Sequence, residues 1–418
     1  MLTNGSTLLR MFRLRMVVLA TIALTILIWA ARWGKNSGHR FGDPLLAGEM
    51  VFAGEKFAET RFAPFGLPVY RSGHSPYTHL TPGPEWIQAL FAFGRRWTGS
   101  HVPAFVWHSF LTAALCAASL MLLRRPISQV AAALRPGDPA PEQRATAGVL
   151  LLASTPSFVI FATHPYCAAT LLANVLTFSS AASWARAPFS EKWAGALMRM
   201  ASALFAAFWL GFAPVVSGAI WTLAAVLRFG VPAQRLRRVL TFAFVSGVAL
   251  VAAVVLKVFQ SVLLLGSLGA TFGDYRSILV FRSGAALQYS AARHLKDSLV
   301  SAGYLFLLAI VVLAVLLWRE RSFVVREGFF LSALIAGGLA WQVVMPGHAA
   351  FHSYMLREMM VPMACLAAVL SSPLHWTGQR RALERCALAN IILVATVLVL
   401  PLVITGEPLW RVRLATGN

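Results

Sequence analysis

Apolar runs of about 20 residues, separated by short arginine clusters, recur from Met16 to Val403. A helix of that length matches the hydrocarbon core of a bilayer, which is roughly 30 Å thick. This alternation predicts an all-α polytopic membrane protein that forms a single integral-membrane domain over residues 1–418. Composition agrees: 58% of residues are hydrophobic and 12% charged, with a mean hydropathy of +0.69. That is far more apolar than a soluble globular chain. The formal net charge of +21 does not point to nucleic acid. The arginines punctuate the apolar runs in the positive-inside manner and leave no contiguous basic face for a phosphate backbone. Cys116, Cys167, Cys365 and Cys386 fall in or beside apolar segments without zinc or disulfide spacing, so they read as small hydrophobes. Met1 to Arg15 resembles the basic region of a signal sequence, but no small-residue cleavage site follows Ala30. The first segment is expected to be an uncleaved anchor.

The arginine clusters set an orientation. A first span over Met16–Trp33, preceded by Arg10, Arg13 and Arg15, puts the amino terminus in the cytoplasm. Residues 34–100 then form a large external loop. Its last part, PGPEWIQALFAFGRRW from Pro82 to Trp97, reads as an interfacial helix. Were it a span, the Arg124/Arg125 loop would lie outside. Spans are expected over His101–Leu123, Ala145–Ala162, Ala168–Trp184, Ala194–Gly211, Pro214–Leu227 and Val239–Val258. Four more follow: one ending at Trp318, then Gly328–Val344, Met359 to about Leu374, and about Ala387 to Val403. This makes about eleven, with the carboxyl terminus outside. The cytoplasmic connections are Arg124–Arg144, RFGVPAQRLRR, RERSFVVRE and QRRALER; the external ones include His164-Pro165-Tyr166, Gly266–Leu299 and PGHAAFHSYMLRE.

The longest polar interval, Arg40 to Trp86, holds five of the fifteen acidic residues: Asp43, Glu49, Glu55, Glu59 and Glu85. It is the best candidate for chemistry. Asp43, close to the end of the first span, suits a general base or a ligand for a hard divalent cation, and suits equally a cap on a helix starting at Pro44. YRSGHSPYTHLTPGPEW sets Tyr77 and His79 among prolines and glycines, as in a stiff loop lining a polar pocket or a plain surface crossing. Glu85 belongs in the first turn of its helix, where the dipole favours an acid. Arg276, Arg282, Arg293 and Lys296 could grip a phosphate or diphosphate, or simply lipid head groups. His348 and His352 share a face if helical, a weak metal-binding pattern. Tyr354 and Arg357 lie in the same turn, and an outward arginine at a helix entrance suggests anion binding.

These features resemble the integral-membrane glycosyltransferases of the GT-C superfamily, relatives of the bacterial protein and lipid A glycosyltransferases. The resemblance rests on FGD at Phe41–Asp43, YTHLTPGPEW at Tyr77–Trp86, FAFG at Phe91–Gly94 and FHSYMLREMMVP at Phe351–Pro362. It implies a GT-C-like fold with interfacial helices in the first loop, and transfer of a sugar from a polyprenyl-phosphate donor to a lipid or glycan acceptor. It places this activity at the periplasmic face of the bacterial inner membrane, among membrane lipids. Asp43 then takes the role of catalytic base or metal-binding acid, with Mg or Mn as the implied cofactor. Tyr77, His79, Glu85, His164, Arg276, Arg282, His352, Tyr354 and Arg357 take substrate-binding roles. The chain departs from the family pattern at three points. Pro44 stands where a second acid is common, His164 replaces an acid in the next external turn, and the Pro-Pro element is Pro82-Gly83-Pro84. A metal-independent member is therefore left open. The competing functions are a transporter or flippase for a lipid-linked saccharide, and a polysaccharide ligase or polymerase.

Overall fold

The computed structural model describes residues 44–60, 69–71, 75–77, 82–186, 193–230, 232–283, 291–351, 353–371, 381, 385, 387–392 and 395–396. Helix dominates them. The opening pieces are α1 (Pro44–Thr60), a short antiparallel hairpin β1 (Val69–Arg71) and β2 (Ser75–Tyr77), and α2 (Gly83–Trp97). Then follow α3 (Ala104–Leu134), α4 (Pro141–Ala153), α5 (Pro156–Phe161), α6 (Pro165–Arg186), α7 (Trp193–Leu210) and α8 (Ala213–Phe229). A 3-10 turn at Pro232–Gln234 leads to α9 (Arg235–Leu265), α10 (Leu268–Arg282), α11 (Ala291–Arg319) and α12 (Arg321–Val344). Last come α13 (Pro346–Phe351), a 3-10 segment Ser353–Met359 and α14 (Met360–Leu370).

Three of these helices are long and apolar enough to cross a membrane: Ala104–Leu134, Arg235–Leu265 and Arg321–Val344. Ala292–Gly303 and Leu305–Arg319, bent by 84°, make a fourth if they act as one span. The expected first span lies outside the described residues, and the last is only partly inside them. Other expected spans are short or interrupted. Ala145–Ala162 is divided where Thr155 accepts from the Phe158 amide and starts α5. The 22-residue α6 carries Thr170, Asn174, Thr177, Ser180 and Ser183.

The distribution of polarity fits lipid on the outside. Along α9, Leu240, Phe244, Val248, Val251, Val255 and Phe259 are exposed, while Arg238, Ser246, Lys257, Gln260 and Ser261 are buried. A helix in water shows the reverse. The buried centre is α6, which packs against α3, α7 and α8. Small residues permit the close fit: Gly218 of α8 faces Thr177 of α6 with no room for a Cβ.

The arginine-rich connections gather at one end. Arg135 donates to Glu320 and to the Val369 carbonyl, each at 2.8 Å. Arg144 donates to the Ser371 carbonyl at 3.0 Å, and Arg228 pairs with Glu327 at 2.7 Å. These bonds tie three of the connections that the charge pattern groups on one side to one another and to the end of α14. Two expected loops are corrected in extent. Most of Arg124–Arg144 is helix, because α3 continues through Pro126 to Leu134. Only Glu320 separates α11 from α12, so RERSFVVRE is mainly helical. The PGHAAFHSYMLRE turn is corrected as well. Its end, Met355 to Glu358, is buried among the helices rather than lying at a surface.

Candidate functional site

The end of the bundle opposite the arginine connections is covered by α1 and α2. Glu55 of α1 holds this cover in place. Its carboxylate accepts two hydrogen bonds from Arg95 of α2, at 3.1 and 2.8 Å, and its Oε1 lies 2.8 Å from His108 Nε2 of α3. His108 Nδ1 is 2.8 Å from Gln88 Oε1, and the Gln88 amide nitrogen donates to Thr112. Trp107 donates from its indole to the Phe91 carbonyl at 2.8 Å. Burial acts to raise the Glu55 pKa, but hydrogen bonds and charge from Arg95 and His108 outweigh it and leave the carboxyl below its ordinary value. Arg96 pairs with Glu59 at 3.2 Å. The two arginines that look misplaced under the positive-inside pattern are therefore neutralised locally.

The other end of α2 is built differently. Gly83 sits so tightly on the Trp209 carbonyl, at the end of α7, that no Cβ would fit. This contact brings Trp86 onto Trp209, stacked at 5.2 Å. Ala253 of α9 joins the same apolar cluster, and Lys257 follows one turn further along α9. Glu85, adjacent to Trp86, is 1% exposed, and its Oε2 has no hydrogen-bond partner. Burial pushes its pKa up to about 8, against smaller opposing pulls from a hydrogen bond with its own backbone and, less, from the charge of Lys257. Lys257 is itself buried and donates to Gln260 at 3.3 Å. Tyr275 of α10 exchanges a 2.6 Å hydrogen bond with Ser261 and donates to the Lys257 carbonyl, fixing α10 beside this point.

A second buried polar group lies deeper. Glu358 accepts a hydrogen bond from Asn174, near the middle of α6. Arg357 donates to the Phe161 carbonyl at 3.2 Å and lies 3.9 Å from Cys116 Sγ, while its Nε has no partner. These residues sit where the chain changes from the 3-10 segment to α14, so the backbone is irregular inside the helical body.

Of the residues expected at a site, Glu85, His164 and Arg357 are buried near the covered end or beneath it. Arg276 is exposed on α10. For Arg282, at the end of α10, and Tyr354, in the 3-10 segment, the backbone alone is described, as for Tyr77 in β2. Asp43, His79 and His352 lie outside the described residues. The helix that follows Asp43 is described from Pro44. His348 accepts from the Trp341 indole at 2.9 Å, and α13 ends before His352. Among the described residues no group of three His, Cys, Asp or Glu is placed to hold a metal. Sequence reasoning did not select Trp209, Lys257, Gln260, Asn174 or Glu358. Lys257 and Asn174 did carry a signal, as isolated polar residues within apolar runs.

Comparison with known protein families, curated proteins and solved structures finds no match.

Proposed function

We propose that the chain is a membrane glycosyltransferase of the GT-C kind, moving a sugar from a polyprenyl-phosphate donor to a lipid or glycan acceptor outside the bacterial inner membrane. In this reading the arginine-tied end is cytoplasmic, the α1–α2 cover is periplasmic, and the chain crosses about eleven times. One observation carries the reading. Under the cover, the ends of α2, α7 and α9 bring together Glu85, whose Oε2 has no hydrogen-bond partner, a lysine and two tryptophans.

Each component suits the reaction. The transfer breaks the bond between the sugar's anomeric carbon and the phosphate oxygen while an acceptor hydroxyl attacks and loses its proton. Acids near the outer interface supply the base, and cations there hold the departing lipid phosphate. The exposed apolar face of α9 and the exposed Arg276 on α10 suit a donor with its tail in lipid and its phosphate at the interface. Asp43 remains the base or metal ligand that the resemblance implies. Mass spectrometry of surface glycans and lipids, with and without the gene, should show a missing hexose or pentose. Restoring the gene with Asp43→Asn should leave that sugar missing, and full restoration would remove Asp43 from the mechanism.

The Arg357–Glu358–Asn174 group favours a second reading, a carrier or flippase for a lipid-linked saccharide. Buried ionisable groups at a break in a helix are the arrangement such carriers use. Reconstituted vesicles separate the two: a carrier moves labelled lipid-linked sugar between leaflets with no acceptor present, whereas a transferase consumes it only with one.

A further inference from the structure

We propose that Glu85 and Lys257 act together in the transfer, Glu85 taking the acceptor's proton and Lys257 holding the phosphate that leaves. The assignment rests on the glycosyltransferase reading and names a pair of residues within it; with Glu85 as the base, Asp43 takes the metal-binding alternative that the resemblance implies. Three geometric facts converge. Glu85 is almost completely buried, yet its Oε2 has no partner, and an unsatisfied buried oxygen is costly enough that a native structure keeps few without a use. Lys257 comes from a different helix, the one whose apolar face is exposed along its length, and its charge acts on the Glu85 carboxyl. Trp86 and Trp209 flank the same spot with flat apolar surfaces, and such surfaces suit the C–H face of a sugar ring.

The step balances. The acceptor oxygen bonds to the anomeric carbon as that carbon's bond to the phosphate oxygen breaks. The hydroxyl proton passes to Glu85, and the bonding electron pair leaves with the lipid phosphate, whose added charge Lys257 offsets. A carboxyl raised to about 8 by burial is matched to proton exchange near neutral pH. The helices packed against α2 carry other titratable groups, among them Tyr166, which lies beside Gly211 near the point where Gly83 meets Trp209. Glu55, Lys56, Glu59, Arg95, Arg96 and His108 belong to the network at the opposite end of α2 or to its exposed rim. Tyr166 and Cys167 are buried on α6, and Arg199 of α7 is exposed.

The test uses the full-length protein in liposomes, with radiolabelled polyprenyl-phosphate hexose and pentose as donors. Envelope lipid from cells lacking the gene serves as acceptor. Wild-type transfer should rise with pH toward a limb near 8, and Glu85→Gln should lower the rate about 100-fold or more. Lys257→Met should lower kcat and move the limb to higher pH, because the neighbouring cation no longer favours the ionised carboxyl; a merely structural lysine would not move it. Should Glu85→Gln fail to fold, Glu85→Asp replaces it and should retain transfer with a displaced limb. Active wild-type protein without that limb, or an equally active Glu85→Gln, overturns the pair while the transferase reading stands. Wild-type protein that transfers neither sugar overturns the transferase reading, and the pair with it.

Discussion

The two ends of α2 place one glutamate each in opposite situations. At the carboxyl-terminal end, Glu55 of the neighbouring α1 meets Arg95 and His108, and its pKa falls. At the amino-terminal end, Glu85 is more deeply buried, has an unpaired oxygen, and its pKa rises. Burial penalises both carboxylates, so partners decide the sign. A fully hydrogen-bonded network suits a joint. An acid held without a full set of partners suits a group that must exchange a proton or meet a ligand. The comparison teaches that the cover is fastened at one end of α2 and kept chemically open at the other.

The largest expected effect breaks the open end. Gly83→Ala inserts a methyl group against the Trp209 carbonyl, where there is no space. Because the obstacle is backbone, α2 must lift away from α7. The expected destabilisation is about 3 kcal/mol, read as a lower unfolding midpoint in detergent. The Trp86–Trp209 stack should also be lost, with a change in near-ultraviolet circular dichroism. An unchanged midpoint and spectrum would show that the close approach is not needed.

Next in size is the fastened end. Glu55→Ala leaves Arg95 and the buried His108 without their shared partner, at an expected cost of about 2 kcal/mol. The pH dependence carries its own sign. A carboxyl with a lowered folded pKa contributes stability that is present above its ordinary range and lost as pH falls through the lowered value. Wild-type protein should therefore loosen in acid, and Glu55→Ala should lack that part of the acid response. Thermal midpoints across acid pH check this, and equal slopes for the two proteins would contradict the role given to Glu55.

How far these two ends could be seen in advance follows from how each is encoded. The helix over Pro82–Trp97 was legible from its helical pattern and its prolines in the first turn, and it is found at Gly83–Trp97. The break between α7 and α8 was legible from the expected segments, which end at Gly211 and start at Pro214. The grouping of Arg135, Arg144 and Arg228 at one end followed from the arginine clusters, because charge relative to a membrane is a property of the sequence itself. The partners were not legible. Glu55 and His108 are 53 residues apart, and Asn174 and Glu358 are 184 apart. Pairing over such separations depends on how helices pack, which apolar periodicity does not specify when lipid-facing and core-facing residues are equally hydrophobic. For the same reason, Met355–Glu358 read as an external turn. Its charged residues suggested a surface, whereas Asn174 and the Phe161 carbonyl receive them inside.

The smallest expected effect lies on the rim of the fastened end. Lys56 and Glu59 form an i,i+3 pair at 3.1 Å with side chains 56% and 47% exposed. The Lys56 hydrogen bond is the main cause of the lowered Glu59 pKa, with a further contribution from Arg96. Water screens such a pair and leaves both side chains an entropic cost on ordering. Lys56→Ala should therefore leave the unfolding midpoint and its acid response unchanged, even though it lies next to Glu55 in sequence. A midpoint shift approaching that of Glu55→Ala would mean that the cover is held by the charge of α1 as a whole rather than by the buried Glu55–Arg95–His108 contact.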